Sequence, residues 1–387
     1  MNEYKRILHI IPGYGGGISS HVKNIVDGID CNKIVIDVAS FTDYPDFYKE
    51  IINLKRGKCI KLKNVKVKQL IKCICEYKEI LKNGEYDAVH LHLSPLQDFY
   101  FSILSRIFHI KRIIVHAHIA NQKEPNKIYN KIKKKVNQKL TTIFASDFAS
   151  CSKIASNFRF GESYTKKNRV MHIPNSIQIE KYDFNLKESE RIEYNKEFNI
   201  KKNQLVIGHV GYFGYQKNHI FMLKIIEKMR EMNIDCVWIF VGEGNGLNNI
   251  KQRAKQMKID ESIRFIGRRD DVNKIYQLMD VCILPSLFEG LPTVAVEAQA
   301  AGIPIVMSDN ITKEVDMKMG LAFYIKLTAS IEDWVKKLKE CAKIKQLDVQ
   351  KRIIQIKKNK FSTNEAADLY TEFIMGNLTY YNFEEEI

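Results

Sequence analysis

Long hydrophobic runs are missing from this chain of 387 residues. None reaches the eighteen or so apolar residues that a membrane-crossing helix needs. The best stretch, Phe99 to Ile110, is short and carries Arg106 and His109. A secretory leader is not expected, because Met1 to Pro12 reads as a strand with no small-residue cleavage site. Cysteine pairing is missing too. The eight cysteines have neither disulfide nor metal spacing, and Cys73 and Cys75 are expected as buried free thiols. That usage points to a reducing cytoplasm. No low-complexity tract, repeat of solenoid period or Asp-x-Asp metal motif occurs. Nor does a recognisable nucleic-acid module or a set of aromatics at stacking spacing, so a nucleic-acid partner is not expected.

What is present fits a globular protein, with 45% apolar and 27% charged residues. The length exceeds what one hydrophobic core supports, so two domains are expected. The net charge of +16 is the unusual bulk property. It concentrates in two segments. One holds Lys55, Arg56, Lys58, Lys61, Lys63, Lys66, Lys68 and Lys72; the other holds Lys127, Lys131, Lys133, Lys134, Lys135 and Lys139. An anionic membrane surface would suit them. A lysine-rich solvated face is the bland alternative, and composition leaves both open.

Short β-rich apolar runs alternate with helix-length segments. The predicted strands are Arg6–Pro12, Lys33–Ala39, Asp87–Leu93, Arg112–His118, Thr142–Ala145 and Arg169–Pro174 in the first half. In the second they are Leu205–Gly211, Asp235–Gly242, Ile263–Gly267, Val281–Pro285, Ile303–Met307 and Leu321–Ile325. Near-continuous apolar strands ten or more residues apart predict βαβ units and buried parallel sheets. The fold class is therefore α/β, with two doubly wound, Rossmann-like domains. The expected division is 1–180, a charged linker at 181–204, 205–360, and a C-terminal helix and tail at 361–387. Ser362-x-x-Glu365 predicts a capping box opening that helix.

The first strand runs into Pro12-Gly13-Tyr14-Gly15-Gly16-Gly17, where a tight turn and a phosphate loop are equally in keeping with the glycines. The spacing is not Gly-x-Gly-x-x-Gly, and the acidic partner of a dinucleotide could only be Asp37, so a nicotinamide enzyme is discounted. The informative stretch is 281–307, VCILPSLFEGLPTVAVEAQAAGIPIVM. A buried strand ends at Pro285-Ser286, and a loop carries Glu289 and Gly290. Pro292 suits the first helical position, and Glu297 lies on the helix, which ends at Gly302. A loop carboxylate, a helix N-terminus and a second carboxylate meet where parallel sheets bind ligands. Amides suit a diphosphate and carboxylates suit sugar or ribose hydroxyls.

In these residues the chain resembles glycosyltransferase family four. Glu289 and Glu297 match its Glu-x(7)-Glu signature within Pro-Ser…Glu-Gly-Leu-Pro. His209-Val210-Gly211 through Gln216-Lys217-Asn218-His219, Val241-Gly242-Glu243-Gly244 and Phe265 to Val272 resemble its donor-site turns. Gly15-Gly16-Gly17, His116-Ala117-His118, Ala149 to Ser152 and Pro174-Asn175-Ser176 extend the likeness through the N-terminal half. The resemblance implies a GT-B fold, two facing Rossmann-like domains with an interdomain cleft. It also implies a retaining transfer from a nucleotide-diphospho-sugar, a UDP-sugar, as in bacterial capsule and exopolysaccharide synthesis. The acceptor would be a growing, polyprenyl-linked oligosaccharide, shaped by loops around Lys55–Lys72 and Asn121–Lys139. The enzyme would be cytoplasmic and peripheral on the inner membrane face, with no cofactor and no metal.

On that resemblance Glu289 and His118 are the catalytic residues. Donor binding falls to Gly16, Gly17, Lys217, Gly242, Arg269, Gly290, Leu291, Pro292, Thr293 and Glu297. Lys217 would neutralise the leaving diphosphate and Glu297 hold the ribose. His116 is expected on the opposite sheet face from His118, and His92 at the border of the cleft. Two residues depart from the pattern: Tyr212 stands where the family has arginine, which would either weaken the donor site or shift the charge to a neighbour such as Arg268 or Arg269, and Ser176 follows Asn175 in place of glycine. A sugar-nucleotide 2-epimerase and a non-catalytic partner of another transferase are the alternatives.

Overall fold

The computed structural model describes residues 4–63, 70–120, 128–167 and 169–378. It forms two compact units, Met1–Ser176 with Lys360–Ile387, and Ile177–Asn359. Residues 181–204 lie within the second unit, where Glu188–Glu197 is helical. The last helix, Thr363–Met375, lies within the first.

In the first unit the strands are β1 (Lys5–Ile11), β2 (Ile34–Ser40), β3 (Cys59–Lys61), β4 (Ala88–Leu91), β5 (Arg112–Ala117), β6 (Asp147–Ser150) and β7 (Met171–His172). They form one sheet in the order β3-β2-β1-β4-β5-β6-β7. The second unit has β8 (Leu205–Val210), β9 (Cys236–Val241), β10 (Ile263–Gly267), β11 (Val281–Leu284), β12 (Ile305–Ser308) and β13 (Ala322–Ile325), in the order β10-β9-β8-β11-β12-β13. All pairings in both sheets are parallel. Strands such as β2 and β9 are buried along their whole length, as parallel strands covered by helices on both faces must be. Strand order reverses between β1 and β4 and between β8 and β11, the position at which doubly wound sheets bind ligands.

Each unit has its own core. In the first, Ile7, Val22, Ile36 and Ile114 pack with Ala366, Tyr370 and Phe373 of the last helix. Helix Gly17–Gly28 approaches that helix closely: a Cβ on Gly28 would lie 2.7 Å from the Ala367 Cβ. In the second, Trp238, Phe240 and Trp334 are central. A fully buried side chain of this size contributes about 1.5–3 kcal/mol.

Three expectations need correction. Thr142–Ala145 is not a strand. Helix Ile128–Thr142 ends on its first residue, with the Thr141 and Thr142 hydroxyls donating to the carbonyls of Asn137 (2.8 Å) and Gln138 (3.0 Å); residues 143–145 are neither helix nor strand, and β6 starts at Asp147. These back-bonds hold β-branched residues in the last helical turn. The last helix starts where Ser362 placed it, but no side chain caps it and the Ser362 hydroxyl is buried without a partner. All eight cysteines are free, yet Cys75 is exposed while Cys73 is buried.

Candidate functional site

The loops after β8 and β11 meet at the reversal of the second sheet. After β8 the chain turns through Tyr215–Lys217, and Asn218, in the left-handed region at φ 59°, opens helix His219–Glu231. After β11 the loop 285–292 leads into helix Thr293–Ala300. The Lys217 ammonium stands 2.7 Å from Glu289 Oε1. Gln216 Nε2 donates to Glu289 Oε2 (2.8 Å) and to the Phe288 carbonyl (2.9 Å). The Leu287 amide donates to the Gln216 carbonyl (2.9 Å), and Asn218 Nδ2 to the Pro285 carbonyl (3.1 Å). Glu289 is only 6% exposed, so its charge is held by this pairing.

Glu297, on helix Thr293–Ala300, accepts a hydrogen bond from the buried Tyr276 hydroxyl at 3.0 Å. Burial pushes its carboxyl above the usual range; the Tyr276 bond and the charges of Lys181 and Lys217 pull it back. Gly290, Leu291 and Pro292 are buried. Pro292 is the N-cap, one position before the place read from sequence, and no side chain caps the helix.

The other expected donor residues are less uniform. A Cβ on Gly242 would lie 2.1 Å from the Gly211 carbonyl oxygen, and φ is +133° there, so backbone packing alone demands that glycine. Arg269 is held by Asp271 (2.9 and 2.8 Å) and Glu197 (2.8 Å), while Arg268 is exposed. Tyr212 is exposed, and its hydroxyl accepts from the Asn245 amide at 3.3 Å.

In the first unit, Gly16 is the N-cap of helix Gly17–Gly28. A Cβ on Gly16 or Gly17 would meet nothing within 4 Å, so nothing in the packing requires glycine at either place. Asp37 is unavailable to a ribose: it is buried and accepts from Arg6 (2.9 Å), the Tyr86 hydroxyl (2.7 Å) and the Lys58 amide (2.8 Å).

His118 lies just past β5. His116 stacks on it with ring centroids 4.1 Å apart, so the two share a face, as residues two apart on an extended segment do. That corrects the opposite-face expectation. His92, at the end of β4, is 2.7 Å from His118 through Nδ1 and Nε2. Burial holds both histidines well below their usual pKa, hence neutral.

Sequence reading missed Gln216 and Tyr276. Gln216 adjoins Lys217 in the motif and was within reach; Tyr276 comes from a separate helix and left no signal. Of the basic segments, Lys61 pairs with Asp43 (2.7 Å) and Lys63 with Glu76 (2.7 Å). Lys131, Lys133, Lys134, Lys135 and Lys139 are exposed on helix Ile128–Thr142. Lys66, Lys68 and Lys127 lie outside the described residues.

Residues 190–360 match the family model of glycosyl transferases group 1. That match spans most of the second unit. The chain is 28% identical over 343 residues to a Bacillus subtilis (strain 168) protein named glycosyltransferase EpsF, covering 88% of each. It is 26% identical over 258 residues to the Escherichia coli UDP-Gal:alpha-D-GlcNAc-diphosphoundecaprenol alpha-1,3-galactosyltransferase, covering 64% of each. Among solved structures, Anabaena Alr3699/HepE with UDP-glucose superposes with a TM-score of 0.77 at 17% identity, over 96% of this chain and 100% of that one. The architecture is GT-B: two doubly wound α/β units, of which the second carries the group 1 glycosyltransferase sequence.

Proposed function

We propose that the protein is a retaining glycosyltransferase that moves a sugar from a UDP-sugar to a polyprenyl-linked oligosaccharide during surface-polysaccharide synthesis. The observation that carries this reading is the Lys217–Glu289 pair, set by Gln216 where strand order reverses. The relatives named above, one acting on a diphosphoundecaprenol-linked sugar, support the donor and acceptor classes.

The chemistry follows from charge. Without donor, Lys217 and Glu289 neutralise each other. A diphosphate gives Lys217 a second anion to face and frees a Glu289 oxygen for sugar hydroxyls. As the bond from the anomeric carbon to the diphosphate breaks, the electron pair leaves with the diphosphate, the acceptor hydroxyl bonds to that carbon on the face being vacated, and its proton passes to a diphosphate oxygen. Lys217 and the N-terminus of helix Thr293–Ala300 meet that growing charge. Glu297 takes the ribose, Gly16 and Gly17 leave room for the donor, and His118 serves the acceptor side. The transfer needs no metal on this reading.

The basic helix Ile128–Thr142 would rest on anionic lipid. Besides its lysines it exposes Ile132 and Val136, one turn apart, which suits shallow insertion.

Purified protein is offered UDP-, GDP- and ADP-sugars with and without a polyprenyl-diphosphate sugar. UDP release and an axial or equatorial linkage matching the donor are expected, with Glu289→Gln lowering kcat about 10²–10³-fold. No nucleotide binding and no turnover with any donor would sink the proposal. Turnover without acceptor to an epimerised sugar nucleotide would replace it with the 2-epimerase.

A further inference from the structure

A second constellation lies in the first unit. His9 on β1, His90 and His92 at β4, and His116 and His118 at β5 turn to one face of the sheet, where Tyr370 from the last helix meets them. His21 reaches the same place from helix Gly17–Gly28, its ring 4.9 Å from His116 and 5.1 Å from His118.

Five of these histidines and Tyr370 form one hydrogen-bonded chain. It runs from His118 Nε2 to His92 Nδ1 (2.7 Å), from His92 Nε2 to His9 Nδ1 (3.0 Å), and from His9 Nε2 to the Tyr370 hydroxyl (2.7 Å). It continues from that hydroxyl to His90 Nδ1 (3.3 Å) and from His90 Nε2 to His116 Nδ1 (3.2 Å). A hydrogen count constrains its ends. Neutral imidazoles bring one hydrogen each and the phenol one more, enough to fill every link with at most one left over. With every link filled, His118 Nδ1 or His116 Nε2, or both, must present a bare lone pair. Both atoms, and His21 Nδ1, are buried without any hydrogen-bond partner. One ring nitrogen from each of His21, His116 and His118 lies within 4.8 Å of the others.

We propose that His21, His116 and His118 form a three-imidazole site for a divalent first-row transition cation such as Zn²⁺ or Co²⁺, with a fourth position open to water. Neutral imidazole suits these ions, and three histidines plus an open position is a recurrent zinc arrangement. Hard cations are disfavoured because the trio includes no carboxylate. Zn–N bonds of about 2.0–2.1 Å put tetrahedral ligands about 3.4 Å apart, so nitrogens within 4.8 Å of one another need close by no more than about 1.4 Å. His116 and His118 are each steered through the other ring nitrogen, as metal-bound histidines generally are. His9, His90 and His92 also cluster within 4.8 Å. All six of their nitrogens are engaged in the chain, so they orient the site and do not ligate. Arg159, a cation acting on His118, is ion-paired with the buried Asp98.

The test uses full-length protein stripped with a chelator and titrated with Co²⁺, followed by visible absorption, and with Zn²⁺, followed by calorimetry. One equivalent and a low-symmetry Co²⁺ band are expected. His116→Gln and His118→Gln should each lower affinity at least tenfold, and His92→Gln by about 10–100-fold through lost orientation. Lys217→Met should bind as wild type, which separates this site from glycosyl transfer. X-ray absorption of the zinc-loaded wild type should show three imidazoles, a readout that does not depend on any variant folding. A wild type that binds neither ion, a zinc shell without imidazole, or affinity unchanged in the folded histidine variants would overturn the proposal.

Discussion

Lys217 and Glu289 are both nearly enclosed, so each is the other's main compensation for burial. Lys217→Met should therefore cost more than its place in the chemistry. An unpaired buried carboxylate destabilises by about 3–5 kcal/mol, and urea unfolding of the variant beside Glu289→Gln, in which that charge is gone, would separate the two effects. A lysine that mattered only to the diphosphate would leave stability untouched. Next to this pair, His219 lies buried against Phe213, ring centroids 4.2 Å apart. Burial, with Lys217 as a second cause, pushes its pKa down to about 4. The unfolded chain then takes up a proton that the folded one refuses, so stability is full above about pH 6.5 and falls as pH drops towards 4. The loss is about 3 kcal/mol. Unfolding at pH 7, 6, 5 and 4 should show a shallower acid slope in His219→Phe; an unchanged slope would contradict the assignment.

Turns decide the site at the scale of elements. Gly242 sits against the Gly211 carbonyl with φ +133°. A methyl group there has no room, so Gly242→Ala should shift the strand-end turn, lower stability by about 3 kcal/mol or more, and abolish nucleotide binding. Gly16 is the contrast, with an extended backbone at φ −144° and open space around its Cβ direction. Gly16→Ala should leave the urea midpoint unchanged to within about 0.5 kcal/mol. If it still weakens UDP-sugar binding in calorimetry, a ligand and not the fold accounts for the glycine. Equal affinity in the two proteins would remove Gly16 from the donor site.

For the whole molecule, the +16 charge matters through its placement. Lys61 and Lys63 are paired, whereas helix Ile128–Thr142 presents exposed lysines around Ile132 and Val136. No helix among the described residues is long and apolar enough to cross a membrane. On the proposed lipid contact of helix Ile128–Thr142, binding to vesicles containing anionic lipid should be salt-sensitive, weakening strongly as the screening length falls from about 10 Å at 0.1 M to about 3 Å at 1 M. Co-sedimentation with anionic and zwitterionic vesicles measures it. Lys133→Glu with Lys134→Glu should abolish the difference; binding that ignores both lipid charge and salt would refute it.

The sequence by itself determined the two parallel sheets, because apolar strands spaced by helix-length segments have few other ways to bury both faces. It also placed Glu289 and Glu297 on one strand–loop–helix, since all of that unit is contiguous. Strand ends were legible to within a few residues. Thr142–Ala145 was misread because β-branched residues in a last helical turn look like a strand. Tertiary structure alone decided what depends on distant segments meeting. Tyr276 reaches Glu297 from another helix, and Arg269 is held by Glu197 from far upstream. Asp37 is buried among Arg6, Tyr86 and Lys58. The histidines show the difference most clearly. Read along the chain they are a single histidine in the first strand, two alternating pairs in later strands, and one on a helix. Only parallel pairing of β1, β4 and β5, closed by Tyr370 from the other end of the sequence, turns five of them into one connected chain whose two unpartnered end nitrogens stand beside that of His21 from helix Gly17–Gly28.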